Sequence, residues 1–580
     1  MDELLVENQS VEPVDNDVPR RSGSRRTTFY FTMEVGLETE MPTYGGGLGI
    51  LAGDTLKSAA DLGMRMVGVT ILWRNGYFKQ TLDEEGWQHE ENAVWDYRSK
   101  LKKLPNYARI KIEGQSVRIE VWEYRIVGKY GHEVPVYFLD PNVPENPKHI
   151  RDLNQYLYGG DEYTRLCQEL ILGVGGVRIL RDIGFNNGQV YHLNEGHASL
   201  LALELIRERG YNSYDKVRKN CVFTTHTPVA AGHDEFSYDM LKQVLHPIYL
   251  EHLEGIIGQG HPLNLTDLSL KLSRFVNGVS KMHARVARKM LDDPNIAAIT
   301  NGIHLPSWIH PAFQTLLNQE IPGWDFEPAM FVHALEIKDD KIWNAHLEAK
   351  RQLLEYVFDT TGVRLDDQKL TIGFARRAAT YKRADLIFSD IERLVKFAGG
   401  KIQLLFAGKA HPRDQQGKEL IHRVVQAAKQ LQPDIPVVYL QDYSIEVSRR
   451  LTAGCDIWLN NPRRPREASG TSGMKAAVNG VLNFSILDGW WIEGYSEGRT
   501  GWAIGPNADV ADMESYDDSQ DVEALYQILE QEIIPIFYED RPRWIGMMKN
   551  SISLIAPYFN TNRMLREYAA YGYQTTPNYQ

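Results

Sequence analysis

The chain has 580 residues, 43% of them apolar and 24% charged, with a formal net charge of −12, an ordinary composition for a folded protein in water. The acidic balance argues against nucleic acid or an anionic membrane as partner, because both select basic surfaces. No run of about 18 apolar residues exists to span a bilayer, and at roughly 150 residues per domain the length leaves room for two to four domains.

Residues 1–26 are polar, acidic and then basic (Arg20, Arg21, Arg25, Arg26), which predicts a disordered tail. The start of the chain lacks the apolar segment of a secretory signal. Cys167, Cys221 and Cys455 each lie in or beside an apolar run. They read as buried free thiols of a reducing, cytoplasmic compartment. Folded sequence begins with a strand at Thr27–Thr32. The glycine loop Tyr44-Gly-Gly-Gly-Leu-Gly49 then opens a helix over 51–62, followed by a buried strand over 66–72. A glycine turn opening a helix can hold an anion or be only a tight turn. It is not a G-x-G-x-x-G fingerprint, and no acidic ribose partner follows it.

Alternation between Val117 and Asp140 predicts a strand pair, and residues 161–180 predict one long helix. Strands at 189–193, 221–225 and 296–300 deliver Asn194-Glu195-Gly196-His197, His226-Thr227-Pro228 and Asn301-Gly302-Ile303-His304. In a parallel sheet, ligands collect beyond such strand ends. His192, His197, His226, His233, Glu195 and Asp234 are metal-ligand types, but their spacing matches no zinc motif, so no metal is expected.

Residues 305–365 read as a largely helical crossover. A second alternation follows, with strands at 369–375, 402–407, 437–440, 455–460 and 481–484 and helices over 385–397, 414–431 and 445–453. This pattern implies right-handed βαβ units and a parallel sheet. Arg376, Arg377, Lys382 and Arg383 follow the first of these strands, and Lys409 the second. Such a basic cluster at strand ends of an acidic protein points to more than one phosphate or carboxylate ligand. The aromatic-rich segment 533–580 is predicted to pack as a closing helix, and no internal repeat occurs.

The stretch Glu467-Ala-Ser-Gly-Thr-Ser-Gly-Met-Lys475 sits between an apolar run and a helix. Gly470 and Gly473 with Ser469, Thr471 and Ser472 form a small-residue turn at a helix start, which attracts an anion. Lys475 lies about one helical turn further in. A phosphate cradle beside a lysine suits a phosphorylated cofactor held as a Schiff base; a glycine turn with a lysine in water fits the same pattern. The residues alone give an α/β protein with two Rossmann-like halves, a cleft, and transfer chemistry on a phosphorylated species.

These motifs, in this order from about residue 28 to 500, resemble the α-glucan (glycogen, starch, maltodextrin) phosphorylases, the glycosyltransferases that use pyridoxal 5'-phosphate. Glu467–Lys475 resembles the family's cofactor segment and Arg376-Arg-Ala-Ala-Thr-Tyr-Lys-Arg383 its K-R-x-x-x-Y-K-R segment. Gly45–Gly49 resembles its glycine loop, and Asn194–His197 and Thr225-His-Thr227 its sugar-site segments. The resemblance implies a GT-B fold, with a sugar-site domain over 27–305, a cofactor domain over 306–555 and a closing helix over 556–580. It implies retaining phosphorolysis of α-1,4-glucan ends by inorganic phosphate to α-D-glucose 1-phosphate, with the cofactor phosphate as proton relay.

By the same resemblance, Lys475 anchors the cofactor. Thr471, Ser472 and Gly473 hold its phosphate with Arg376, near Tyr443 and Gly47. Arg377 and Lys382 clamp the substrate phosphate, with Gly46 and Gly47 offering N–H groups. Asn194 and His226 line the sugar pocket, and Glu467, Ser469 and Gly470 meet sugar hydroxyls. Two positions depart from the family pattern: Ser444 stands where an arginine is usual, and Arg376 replaces a lysine. Weak or absent allosteric control is expected, and a homodimer is compatible with the resemblance. A nucleotide-sugar-dependent glucan synthase on the same scaffold and a catalytically silent glucan-binding relative are the alternatives.

Overall fold

The computed structural model describes residues 26–186, 189–210, 213–229, 232–506 and 517–574. The predicted disordered tail, except Arg26, lies outside the described residues.

Among the described residues, a nine-stranded sheet is built from the first half of the chain. From one edge it runs Ala297–Ala298, Phe275–Gly278, Cys221–Thr224, Val190–Asn194, Thr28–Phe31, Met66–Ile71, Glu133–Asp140, Gln115–Val127 and Lys102–Ile112. Neighbours are parallel as far as Glu133–Asp140, and the last three strands form an antiparallel meander. The parallel strands are buried along nearly their whole length, as sheets covered by helices on both faces require. The order reverses between Thr28–Phe31 and Val190–Asn194, which pair along their length, so the connections beyond their C-terminal ends run to opposite sides and leave a crevice.

A second, six-stranded sheet runs Val437–Leu440, Ile402–Ala407, Leu370–Ala375, Ile457–Asn460, Leu482–Ile486 and Gly501–Ile504. Every pair is parallel. Taken in chain sequence this is the 3-2-1-4-5-6 order of a doubly wound sheet. Its crevice opens between Leu370–Ala375, which runs into Arg376 and Arg377, and Ile457–Asn460.

The structure differs from the sequence expectations at several elements. The helix predicted over 385–397 is a 3-10 turn, Leu386–Phe388, and a helix Ile391–Ala398. Asp390 caps the helix by accepting from Arg393 N at 2.9 Å, and this short acidic side chain breaks the run. The predicted 161–180 helix is two helices, Glu162–Leu170 and Gly176–Ile183, joined by one wider turn at Ile171–Gly175. There a Cβ on Gly173 would stand 2.5 Å from Leu201 N. The strand expected over 296–300 shrinks to two residues, and strands Lys102–Ile112 and Gly501–Ile504 were not foreseen.

The closing segment is a helix Arg541–Ile555, a second helix Thr561–Glu567 and a wide turn Tyr568–Tyr573. Its end returns to the first sheet. Tyr573 Oη lies 2.8 Å from His192 Nδ1 and Tyr568 Oη 2.9 Å from Thr224 Oγ1. The hairpin Lys79–Leu82/Gln88–Glu91 reaches the other way. Gln80 Nε2 donates to Gly408 O at 2.8 Å and Gln88 Nε2 to Ala410 O at 2.9 Å. These amides satisfy main-chain groups at the end of Ile402–Ala407, so the two sheets are tied at their facing edges. No helix among the described residues is long and apolar enough to cross a membrane.

Candidate active site

A cavity of about 1470 Å³ lies where the C-terminal ends of both sheets meet. Lys475, Arg376, Arg377, Lys382, Glu467, Ser469, Gly470, Thr471, Ser472, Tyr443, Gly46, Gly47 and His226 line it. The sequence separates these residues by up to several hundred positions; the two strand-end crevices bring them to one cavity.

Lys475 sits in the helix Thr471–Ala477. It is 5% exposed, and its Nζ stands 3.7 Å from the centroid of the Trp308 ring. No carboxylate pairs with it among the described residues. Burial pushes its amine down to about 8, with Asp54 pulling the other way. Asp54 comes from the helix Gly47–Asp61, and its Oδ2 accepts from Trp308 Nε1 at 2.7 Å and His304 N at 3.2 Å. The small residues ahead of Lys475 have separate reasons to be small. Gly470 adopts φ +90°, open mainly to glycine. A Cβ on Gly473 would stand 2.4 Å from Asn483 Oδ1 and 2.7 Å from Trp490. The side chain of Ser472 accepts from Trp458 Nε1 at 3.1 Å. Ser469 Oγ is buried without a hydrogen-bond partner.

The basic cluster divides in three. Arg383 turns away from the cavity and is consumed by structure: it donates to Asp518 at 2.8 Å, Asp521 at 2.7 Å and Asn461 O at 2.9 Å. Lys409 donates to Asp442 Oδ1 at 2.6 Å and Phe78 O at 2.8 Å. Arg376, Arg377 and Lys382 remain at the cavity. Arg376 Nη2 donates to Glu467 Oε2 at 2.6 Å, and Lys382 Nζ meets the same oxygen. These two cations hold the Glu467 carboxyl down at about 2 despite its burial. Arg376 Nη1 is buried with no partner. Arg377 is exposed to the cavity and makes no ion pair among the described residues; the phenols of Tyr381, Tyr77 and Tyr158 surround it.

On the opposite wall, His226 Nε2–H donates to Asn194 Oδ1 at 2.7 Å, and Asn194 Nδ2 donates to Thr32 Oγ1 at 3.1 Å. That chain fixes the imidazole tautomer and leaves Nδ1 as acceptor. Burial pushes His226 down to about 3, so it is neutral. The sequence-expected role of the Gly46 amide is altered here. Gly46 N–H already donates to Glu34 Oε2 at 3.1 Å, because Glu34 emerges from the first strand directly under the loop. Nothing lies within 4 Å of a Cβ on Gly46 or Gly47, so the loop presents bare backbone to the cavity. Tyr443 Oη bonds Ser448 at 3.0 Å, and Ser444 caps the helix Ile445–Gly454 by accepting from Val447 N at 3.3 Å.

Sequence reasoning assigned no role to Glu34, Asp54, Trp308 or Asp488, and weighed Glu195 only as a metal-ligand type and as part of the Asn194–His197 segment. Glu195 is a non-glycine residue at φ +73°, a strained conformation of the kind found at functional sites. Its carboxylate accepts from His226 N at 2.7 Å and Thr227 Oγ1 at 3.0 Å, which repays the strain by fixing the His226 loop. Its position directly after a strand was the available signal. Asp54 and Trp308 carry none, since their partner lies 254 residues away. Glu169, His197 and Asp234 converge within 4.8 Å, and Arg165 approaches both carboxylates, at 3.9 and 3.7 Å. That cation already supplies the positive charge a metal would bring.

The arrangement defines a class: an α/β protein whose two largely parallel sheets open onto one cavity that holds a buried lysine with a lowered pKa beside Arg376, Arg377 and Lys382. The sequence profile of the carbohydrate phosphorylases matches residues 250–498. The maltodextrin phosphorylase of Thermococcus litoralis is 40% identical over 93% of this chain and 69% of its own length. The glycogen phosphorylases of Mycobacterium tuberculosis and Aquifex aeolicus are each 36% identical over 94% of this chain, covering 70% and 85% of their own lengths. The chain belongs to the carbohydrate phosphorylase family.

Proposed function

We propose that the protein is an α-1,4-glucan phosphorylase of GT-B architecture, transferring a terminal glucosyl unit to inorganic phosphate with pyridoxal 5'-phosphate as cofactor. The observation that carries the reading is a buried lysine without an ion-pair partner, placed in the same cavity as Arg376, Arg377 and Lys382. A nucleotide-sugar synthase has no use for such a lysine. Ser444, the one feature favouring a silent relative, has a structural task as a helix cap.

The residues fit the cofactor. A lysine amine near 8 is partly neutral at physiological pH and can condense with an aldehyde. The orphaned Arg376 Nη1 and the first-turn N–H groups of Thr471, Ser472 and Gly473, which no side chain caps, are donors in want of an anion. When bound, the cofactor supplies a second phosphate whose upper pKa, near 6, suits proton exchange at neutral pH. The chain's own groups do the rest. Arg377 and Lys382 hold the substrate phosphate and offset the repulsion between two phosphates. Gly47 lets backbone approach that anion without a side chain. Neutral His226, locked by Asn194, turns Nδ1 toward the sugar as an acceptor, and Glu467, Ser469 and Gly470 border the same sugar. The Trp308 face and the buried wall exclude water, favouring phosphate over hydrolysis.

The test is release of glucose 1-phosphate from maltodextrin and inorganic phosphate. Arg377→Ala should lower that rate by about 10²–10³-fold, the usual loss for one charge-stabilising donor. Lys475→Ala should abolish the near-ultraviolet pyridoxal absorbance of the purified protein. An unchanged rate in the first variant refutes the phosphate assignment; a retained band in the second refutes the anchor.

A further inference from the structure

We infer that Glu467 is an exchangeable occupant of the phosphate site: its carboxylate holds Lys382, together with Arg376 of the cofactor-phosphate side, until inorganic phosphate takes the Lys382 ammonium, and then turns to receive sugar hydroxyls. Phosphate binding thereby builds part of the sugar site. The inference rests on the function proposed above and deepens it.

Three observations support it. First, one oxygen, Glu467 Oε2, takes both cations, Arg376 at 2.6 Å and Lys382 closer still, with all three side chains no more than 8% exposed. Two buried cations need an anion, and this carboxylate is the only one paired with them among the described residues. Second, the pairing is incomplete. Glu467 Oε1 makes no hydrogen bond among the described residues, and the single oxygen Oε2 is shared between Lys382 and Arg376, the latter assigned above to the cofactor phosphate. Inorganic phosphate brings more charge and more acceptor oxygens, so it matches the Lys382 ammonium better than the shared carboxylate does. Phosphate and carboxylate cannot both sit against the same Lys382 ammonium without direct repulsion.

Third, the backbone at Glu467 is fixed by hydrogen bonds, whereas its carboxylate is held only by cations that phosphate can take. Its main-chain N–H donates to Asp488 Oδ2 at 2.9 Å, and Asp488 Oδ1 accepts from Gly489 N at 2.8 Å. Ser280 Oγ donates to the next carbonyl, Ala468 O, at 2.6 Å. The backbone is pinned on both sides while the carboxylate is held by ions alone. Side-chain rotation carries it into the cavity it already lines, where the neighbouring Ser469 Oγ also lacks a partner. The two binding events are then linked: each ligand favours the same Glu467 position, and by reciprocity each tightens the other by one factor.

Inorganic phosphate and free glucose form a non-reacting pair, since glucose has no glycosidic bond to cleave. Titration calorimetry on the cofactor-loaded wild type should show each tightening the other by about 5-fold or more. In Glu467→Gln, phosphate alone should bind more tightly than to wild type, because its competitor has lost its charge, and the mutual factor should fall to near 1. A wild type with no mutual tightening overturns the inference whatever the variant does. So does a Glu467→Gln protein that keeps the full wild-type factor, or binds phosphate more weakly while retaining its cofactor absorbance. Failure of the wild type to release glucose 1-phosphate would instead refute the proposed function, so the two outcomes are read separately.

Discussion

The charge state of Lys475 is the most direct physical consequence of the site. Burial moves its amine from 10.5 to about 8. At pH 7.5 an amine titrating near 8 is about one-quarter neutral, whereas an ordinary lysine is neutral about once in a thousand. Lys475 should therefore react with a small aldehyde a few hundred times faster than its access alone would allow. The assay is competitive reductive methylation of cofactor-free protein with trace formaldehyde, from about pH 6 to about pH 11, read by peptide mass spectrometry. Each lysine is scaled to its own plateau, so the midpoint reports titration and not access. Lys475 should reach half reaction near pH 8. Asp54→Asn removes the carboxylate that opposes the shift, and should lower the midpoint further.

The same shift has a stability sign. Between about pH 8 and 10.5 the unfolded chain binds a proton at this lysine that the folded, cofactor-free protein does not, so stability rises with pH across that window. Below pH 8 the buried ammonium costs about 3 kcal/mol, and Lys475→Met should relieve most of it. A midpoint near 10 for Lys475, together with no stabilisation by Lys475→Met at pH 7, would refute the claim that the cavity depresses this amine.

Other perturbations separate structural from functional charge. Asp456 is fully buried between Lys350 at 2.6 Å, His346 at 2.8 Å and Thr371 N at 2.7 Å. Lys350→Met should cost about 3–5 kcal/mol in chemical denaturation because it strands a buried carboxylate, whereas Lys100→Met at the surface pair with Glu38 should leave the denaturation midpoint nearly unchanged. His197, held by Asp234 at 3.2 Å and Glu169 at 3.4 Å, is raised to about 9. Its contribution is full below its ordinary 6.5 and lost as pH rises toward 9, so the destabilisation by His197→Gln should be greatest near pH 6 and fade by pH 9 in thermal melts. Gly473→Ala should lose about 1–3 kcal/mol by overpacking against Asn483 and Trp490. Gly46→Ala, with open space at its Cβ, should keep its stability within about 0.5 kcal/mol.

The scaffold was legible where local pattern and burial agree. Ile402–Ala407 and Leu370–Ala375 are largely apolar, each broken by one polar residue (Gln403, Thr371), and buried along their whole length, as a parallel sheet covered on both faces requires. Reading Arg376 and Arg377 as ligand-facing needed no more than their position after such a run. Arg383, seven residues further on, belongs to the same basic string, yet it adopts φ +50° and is spent on Asp518 and Asp521. Its partners lie more than a hundred residues later, so nothing local could separate it from Lys382. Glu467 was read as a sugar ligand from its motif. Its grip on Arg376 spans 91 residues and follows from Leu370–Ala375 and Ile457–Asn460 lying side by side in the second sheet, which is tertiary information.

Ser444 departs from the family pattern and carries a structural task in this fold. Taken alone, serine in place of arginine removes a cation from the cofactor's surroundings. In the fold, Ser444 accepts from Val447 N and starts the helix Ile445–Gly454, a task arginine performs poorly. That helix carries Arg449, whose guanidinium lies 5.8 Å from the Trp308 ring and helps to lower the Lys475 amine. Its Nε is buried without a partner, as is Arg376 Nη1 on the far side of the lysine. Arg449 thus supplies a positive charge near Lys475 from the helix that Ser444 starts. A capping residue frees the helix start, and a cation one turn later faces Trp308 instead, so the balance of charge at the cavity is a property of the packed helices and not of any single motif position.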